Sequence, residues 1–435
     1  MKEKRILSAR ETALLTLKKC ERSGQYSNIA LDNALKSSEL SPSDRALASV
    51  LFYGVIERKI TLDHCISALS SRPIGDIDAD ILQLLRLGVY QLRFLDRVPD
   101  HAAINETVSL APAKSRGFVN AVLREYTRRG SNIEFPRIED GAAHALSVKY
   151  SVCEPLSDKL ISVYGIERAE SILAAFLHTG ATTLRTNTLK ITRDELCERL
   201  GGERTEKSPY GVKIKGQITS LDGFDDGLFY VQDEASQIAA AALMASEGDV
   251  VVDTCSCPGS KSFGAAMDMK NRGEIYSFDI HKNKLSLVES SAKRLGIEII
   301  STEARDARSP SEELIGRAER VICDVPCSGF GVLGKKPELR YKDPAESAGL
   351  PKIQRDILEN SIKYLRVGGE LVYSTCTIFP EENEENIKAF LSEHAEFSLK
   401  AFSVGNFECP TGMATLLPDK DGTDGFFVAK LVKNK

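Results

Sequence analysis

From residue 234 onward, short apolar runs alternate with helical stretches, and this alternation limits the fold more than anything else in the chain. The runs lie at 250–252, 275–278, 297–300, 321–323 and 371–373. A short apolar run without polar alternation suits a strand covered on both faces. Strand and helix in repetition make a doubly wound, Rossmann-like parallel sheet with helices on both sides. Ligands of such sheets bind outside the carboxyl ends of the strands, so the residues that follow each run are where function is expected. A last run, 425–432, follows the turn-rich PDKDGTDG and is expected as an added antiparallel edge strand.

The turn after the first run reads VVVDTCSCPGSKSFGAAM, residues 250–267. It contains no G-x-G-x-x-G and no G-x-x-x-x-G-K-[ST], which argues against a nicotinamide or flavin site and against nucleotide hydrolysis. Pro258 stiffens the turn and Gly259 admits close backbone approach or positive φ. The helix that follows offers free N–H groups to an anion. Acids then recur at successive strand ends: Asp253, Asp279, Asp306 and Asp324. Taken singly, each suits a helix cap or turn. In series they suit a ligand with ribose hydroxyls, an adenine amino group and a cationic centre, the features of S-adenosylmethionine. Cys255 and Cys257 form a tight pair without the second pair or histidines that zinc requires, so no metal is expected.

Two strand ends also carry thiols. RVICDVPCSGFGVLGKKPELRY (320–341) runs through Asp324 to Cys327, and LVYSTCTIFPEEN (371–383) ends its strand at Cys376. A lone cysteine is commonly a small buried hydrophobe, but two at neighbouring sheet ends suggest covalent catalysis by a thiolate. Lys335, Lys336, Arg340 and Tyr341 combine base and aromatic, as a phosphate backbone and a stacked base would require; a solvated loop is the alternative. Glu381, Glu382, Glu384 and Glu385 are mostly expected to open a helix at its positive end.

Upstream, residues 1–140 read as an all-α domain. Ile81, Leu84, Leu85, Gly88, Val89 and Leu92 form one helical stripe, and Ser43-Asp44 marks a helix start. This part holds 21 Lys and Arg against 18 Asp and Glu; the remainder holds 36 against 44, giving the chain its net charge of -5. The basic residues Lys114, Arg116, Arg124, Arg128, Arg129 and Arg137 therefore serve either as a solvated face or as a dock for an anionic partner. Residues 132–140 read as a linker, followed by two helices to about residue 177. A small α+β module follows, with strands in ATTLRTNTL, GVKIKG and GLFYVQD and a capping-box helix at TRDELCERL. Three parts result: 1–140, 141–234 and 235–435. The ten scattered cysteines, the charged N-terminus and the lack of a long apolar stretch suit a soluble, cytoplasmic protein without membrane contact.

The words LFYGVIERKITLDHCI, LRLGVYQLRFLDRVPDHAAINETV and GFVNAVLREY resemble the NusB-type RNA-binding domain. TCSCPGSKS, DVPCSGFGVLGKKPELRY, YSTCTIFPEENEENI and DGTDGFFVAKL resemble the signature motifs of RNA cytosine-C5 methyltransferases of the Sun/RsmB (Nop2/Sun) type. The resemblance covers nearly the whole chain. It implies a multidomain protein with an all-α NusB-like bundle, a small α+β module and a C-terminal α/β methyltransferase domain. It implies S-adenosylmethionine as cofactor and 16S ribosomal RNA, at cytosine 967, as substrate, acted on by a monomer. Carried over by motif, Cys376 is the nucleophile and Cys327 assists product release; the chemistry of such an adduct calls for an acid facing ring nitrogen N3 of the base, and Asp324 is placed for it. That last role requires a proton on Asp324, held by burial or a nearby acid. Cofactor contacts fall on Cys255, Ser256, Cys257, Pro258, Gly259, Ser260, Lys261, Asp279, Asp306 and Asp324. One departure stands out: Ser260 occupies the place of the family's usual second glycine, at a cost of about 1 kcal/mol if positive φ is needed there. Two rivals stay open, a non-catalytic RNA-binding assembly factor that keeps the fold and an enzyme that attacks with Cys327.

Overall fold

The computed structural model describes residues 7–24, 27–177, 181–215 and 221–435. It divides into two compact units, Met1–Leu177 with Lys335–Pro344, and His178–Gly334 with Ala345–Lys435.

The first unit is all helical. Ala9–Ser23, Ser27–Lys36, Pro42–Glu57, Lys59–Leu69, Ala79–Phe94, Asp100–Ser109 and Arg116–Arg129 come first. Ile81, Leu84, Leu85, Gly88 and Val89 are buried as their spacing predicts, and Asp78 caps their helix by accepting from the amides of Asp80 and Ile81. Gly88 permits close helix packing, since a Cβ there would lie 2.6 Å from the Leu123 side chain. The start expected at Ser43-Asp44 falls slightly earlier: Pro42 takes the first turn and Ser41 is the cap. Three helices, not two, follow the linker: Ala142–Tyr150, Glu154–Tyr164 and Ile166–Ala175. The six basic residues from Lys114 to Arg137 are exposed, with Arg128 and Arg129 both paired to Glu125.

Segment Lys335–Pro344 belongs to this unit, which corrects the expectation for two of its residues. Arg340 is fully buried; its guanidinium donates to the carbonyls of Phe176 (2.9 Å) and Tyr150 (3.2 Å) and pairs with Glu57 at 3.4 Å. The Tyr341 hydroxyl meets the carbonyl of Ile56, the amide of Lys59 and the hydroxyl of Ser151. Both therefore act as internal fasteners, while Lys335 and Lys336 face solvent. A basic-aromatic cluster looks the same in sequence whether it meets phosphate or backbone carbonyls.

In the second unit, a small antiparallel sheet has the order Glu203–Arg204, Gly211–Ile214, Thr182–Thr186, Phe229–Val231. The helix Arg193–Leu200 carries the expected capping box of Thr192 and Glu195. From this sheet, the buried Arg185 lies over the Tyr210 ring and pairs with Asp268 at 3.7 Å. Gly264 makes room for it, because a Cβ there would sit 2.6 Å from the guanidinium.

The large sheet contains β1 (Val250–Asp253), β2 (Glu274–Asp279), β3 (Ile300–Ala304), β4 (Ala318–Asp324), β5 (Leu365–Thr375), β6 (Phe397–Leu399), β7 (Met413–Leu416) and β8 (Phe426–Lys433). Its order is β6-β8-β5-β4-β1-β2-β3, with β7 also on β8. Strands β1 to β5 are parallel, and β8 runs antiparallel to β5. The order reverses beside β1, so the crevice for a ligand opens at the carboxyl ends of β1 and β4. The expected edge strand is antiparallel but lies inside the sheet, because β6 and β7 cover its free side. Its six successive buried residues, 426–431, accord with that place. Even Lys430 is buried there, 2.8 Å from Glu370. No helix among the described residues is long and apolar enough to cross a membrane.

The Arg340 anchor generates a stability prediction. Arg340→Ala removes the cation beside Glu57 and strands two buried carbonyls, so it should destabilise the helical unit by about 3–5 kcal/mol. Denaturant unfolding followed by circular dichroism measures this, and an unchanged midpoint would refute the anchoring role.

Candidate active site

The carboxyl ends of β1, β2, β4 and β5 bring most of the expected residues together. β1 ends on Asp253, which is buried; its Oδ2 accepts from the Ser262 hydroxyl at 2.6 Å, and that hydroxyl lies 2.8 Å from Ser277. Burial is the main cause that pushes the Asp253 carboxyl up to about 7. The Ser262 hydrogen bond opposes this, the charge of Asp324 adds to it, and Lys261 opposes it again.

The next loop folds over the strand ends. The Ser256 amide donates to the Phe278 carbonyl at 2.7 Å, and the Gly259 amide returns to the Ser256 carbonyl at 2.6 Å. Gly259 takes φ +102°, and a Cβ there would lie 2.4 Å from the Phe263 ring. The positive φ falls on Gly259 and not on Ser260, which begins the helix Ser260–Asp268. The departure at 260 therefore carries no left-handed strain. The Ser260 carbonyl accepts from the Tyr230 hydroxyl at 2.9 Å.

Lys261, also buried, reaches Asp324 at the end of β4, with Nζ 2.5 Å from Oδ2. The Ser374 hydroxyl donates to Oδ1 of Asp324 at 2.6 Å. The two oxygens thus meet an ammonium and a hydroxyl donor. This differs from the isolated or acid-flanked carboxyl that the sequence led us to expect. Asp279 ends β2 and accepts from the His281 amide at 2.8 Å. Burial first, and then the charge of Asp279, push the Cys257 thiol up to about 12. Burial does the same to Cys255, which rises well above the usual thiol range. Asp306 stands two residues past β3 with Arg308 at 2.6 Å, an exposed pair whose hydrogen bonds hold the carboxyl below its ordinary range.

Cys327 and Cys376 face each other with their Sγ atoms 3.3 Å apart, and the Cys376 amide points at the Cys327 sulfur from 3.3 Å. Neither forms a disulfide. The Cys376 side chain, then burial, then the charge of Glu382 push the Cys327 thiol well above its usual range. The approach of the two loops rests on glycine. A Cβ on Gly331 would lie 1.9 Å from the Gly425 carbonyl oxygen and 2.7 Å from that of Cys376. The Gly331 amide donates to the Cys376 carbonyl at 2.9 Å.

Sequence reasoning missed Glu382. It is buried rather than displayed at a helix start, and its carboxylate accepts from the Ser328 amide at 2.9 Å and the Gln354 side chain at 2.8 Å. The signal was present in the fixed distance between Glu382 and Cys376, but which of four acids turns inward depends on tertiary packing.

A doubly wound sheet with a reversed order at β1, acids on its strand ends and two facing thiols beside them defines a class, that of Rossmann-like methyltransferases. The 16S rRNA methyltransferase RsmB/F family matches residues 240–432, the NusB family matches 7–128, and the Methyltr_RsmF/B-like ferredoxin-like domain matches 155–218. A probable ribosomal RNA small subunit methyltransferase B from Bacillus subtilis is 39% identical over 98% of this chain and 99% of its own. Another of that description, from Synechocystis, is 36% identical over 98% and 100%. Among solved structures, the crystal structure of PH0851 is 27% identical, with a TM-score of 0.79 over 99% of this chain and 100% of its own. The chain belongs to the RsmB/F family of S-adenosylmethionine-dependent ribosomal RNA methyltransferases. The cofactor fits what the site offers: among the described residues, Ser256 Oγ is buried without a hydrogen-bond partner. Gly259 also leaves backbone open where a side chain would intrude.

The buried acid of β1 gives a pH prediction. A carboxyl raised from 3.8 to about 7 on folding stabilises the fold fully below its unfolded pKa and loses that contribution as pH rises through about 7. Asp253→Asn should therefore gain on the wild type between about pH 4 and 7, by on the order of 4 kcal/mol. Unfolding midpoints at pH 5 and pH 8 check this; a difference independent of pH would overturn it.

Proposed function

We propose that the enzyme methylates carbon 5 of a cytosine in 16S ribosomal RNA, at position 967, through a covalent adduct with Cys376. The observation that carries this reading is the pair of thiols 3.3 Å apart, beside the Lys261–Asp324 pair. Carbon 5 of cytosine is a weak nucleophile, and a thiolate added at carbon 6 makes it enamine-like. Cys376, as thiolate, forms the S–C6 bond while the ring's double-bond electrons move toward N3 and its carbonyl. Asp324 faces N3, and the proton that N3 needs has a source beside it in the Lys261 ammonium. S-adenosylmethionine supplies an electrophilic methyl group on a sulfonium. Afterwards the proton on carbon 5 departs to solvent, its electron pair re-forms the ring double bond as the S–C6 bond breaks and the Cys376 thiolate leaves, and N3 returns its proton to Lys261. Cys327 is close enough to assist that release.

Residues 255–261 and Asp279 would hold the cofactor, with Asp279 on the ribose hydroxyls as a strand-end acid does. Asp306 and Asp324 would complete that set, Asp306 on exchanging Arg308 for the ligand. The target base must be unpaired or flipped, since carbon 6 is out of reach inside a stack. The helical part, 1–140, contributes RNA binding through its exposed basic residues, the module within 141–234 supports the RNA beside the site, and 235–435 carries the chemistry. Action in the cytoplasm as a monomer without a metal completes the reading.

With labelled cofactor and ribosomal RNA, Cys376→Ala should abolish methyl transfer. Cys327→Ala should accumulate a denaturation-resistant protein–RNA adduct, and Cys376→Ala should form none. The opposite pattern of adducts would exchange the two roles, and full transfer by Cys376→Ala would sink the mechanism. Bisulfite sequencing of 16S ribosomal RNA from a strain lacking the protein should show cytosine 967 unprotected; protection there would refute the position.

A further inference from the structure

Two neighbouring residues beyond Cys376 grip the chain next to both thiols. Glu382 holds Ser328, the residue after Cys327, by its amide (2.9 Å) and its hydroxyl. Asn383 holds both neighbours of Cys376. Its Oδ1 accepts from the Thr375 hydroxyl at 2.6 Å, and its Nδ2 donates to the Thr377 carbonyl at 3.0 Å. The grips are joined, since the hydroxyls of Ser328 and Thr377 lie 2.8 Å apart. Gln354 adds a third point by donating to the Pro326 carbonyl at 3.0 Å and to Glu382 at 2.8 Å. The Tyr373 hydroxyl fixes the Glu382 carbonyl at 2.8 Å. Glu382 is 2% and Asn383 0% exposed, so solvent screens this network little.

We propose that Glu382 and Asn383 are positioning residues that set the spacing and division of labour of the two catalytic thiols. This rests on the reading of Cys327 and Cys376 as the catalytic pair. A scaffold holding the loops would need only neutral hydrogen bonds. The Cys376 side chain and burial disfavour the Cys327 thiolate first, and the carboxylate of Glu382, bonded on the Cys327 side, adds its charge to them. Asn383 carries no charge and holds the Thr375 hydroxyl and the Thr377 carbonyl on either side of Cys376. The two residues therefore differ in effect: Glu382 acts on geometry and charge, Asn383 on geometry alone.

The test uses the full chain, with Glu382→Gln and Asn383→Ala beside Cys376→Ala. Both positioning variants should lose about 10²-fold in kcat, as a displacement near 1 Å can cause, while calorimetric affinity for S-adenosylmethionine stays unchanged. Iodoacetamide labelling of Cys327, resolved by peptide mass spectrometry across pH, gives a readout independent of turnover. Glu382→Gln should move its midpoint down, and Asn383→Ala should leave it in place. Wild-type turnover in both variants, an unmoved midpoint in Glu382→Gln, or cofactor affinity lost together with kcat would each overturn the proposal. Retained methyl transfer in Cys376→Ala would instead overturn the assignment of the catalytic pair, so the two failures are distinguishable.

Discussion

The site depends on one register. β4 and β5 pair in parallel with Asp324 opposite Ser374. A one-residue slip in either strand would turn its alternating side chains to the wrong face. In the observed register the Ser374 hydroxyl meets Asp324 at 2.6 Å, and each chain then leaves the sheet with a cysteine on its exit loop. The exit loop of β4 packs close against the Cys376 carbonyl and the start of β8, where a Cβ on Gly331 would clash. At Gly331 and Gly425 backbone packs on backbone, with the Gly425 amide 2.7 Å from the Gly331 carbonyl. The thiol pair is thus a consequence of strand pairing and two missing side chains rather than of local sequence preference.

Charge and burial divide the acids at the strand ends among different tasks. Asp253 has no cation of its own, lies under the 255–261 loop and keeps a proton near neutral pH mainly because burial disfavours its charge. Asp324, more open, shares the buried Lys261 ammonium. Two carboxylates so close would repel if both were charged, and one proton plus one ammonium settles the conflict. Lys261 is held between the Phe426 ring and Asp324, 5.1 Å from the ring centroid. A base binding here would exchange one partner of an existing ion pair rather than meet an empty acid.

How much of this could be read from the chain follows the range of the interactions. The helical stripe around Leu84 and the buried runs of β1, β2, β4 and β5 were legible because period and burial act locally. The run at 297–300 was misplaced. β3 covers Ile300–Ala304 and is mostly polar and partly exposed, so the apolar residues mark the approach to the strand. β6 and β7, three and four residues long, left too little pattern to detect. The strand-end acids and both thiols were legible because each lies at or just past the end of a strand. Their partners were not: Lys261 meets Asp324 across 63 residues and Ser328 meets Glu382 across 54. Arg340 and Tyr341 failed for the opposite reason, since a cation and a phenol satisfy buried carbonyls as readily as they would a nucleic acid.

Two chemically identical thiols can divide attack from release only if their surroundings differ. Cys327 receives the Cys376 amide on its sulfur, which favours a thiolate, yet the neighbouring thiol, burial and the carboxylate of Glu382 outweigh that single donor. The balance disfavours the thiolate of Cys327. Which loop Glu382 touches therefore distinguishes the two thiols electrostatically. Because Glu382 lies six residues beyond Cys376 but contacts the Cys327 loop, the segment that follows one thiol supplies the carboxylate that restrains the other.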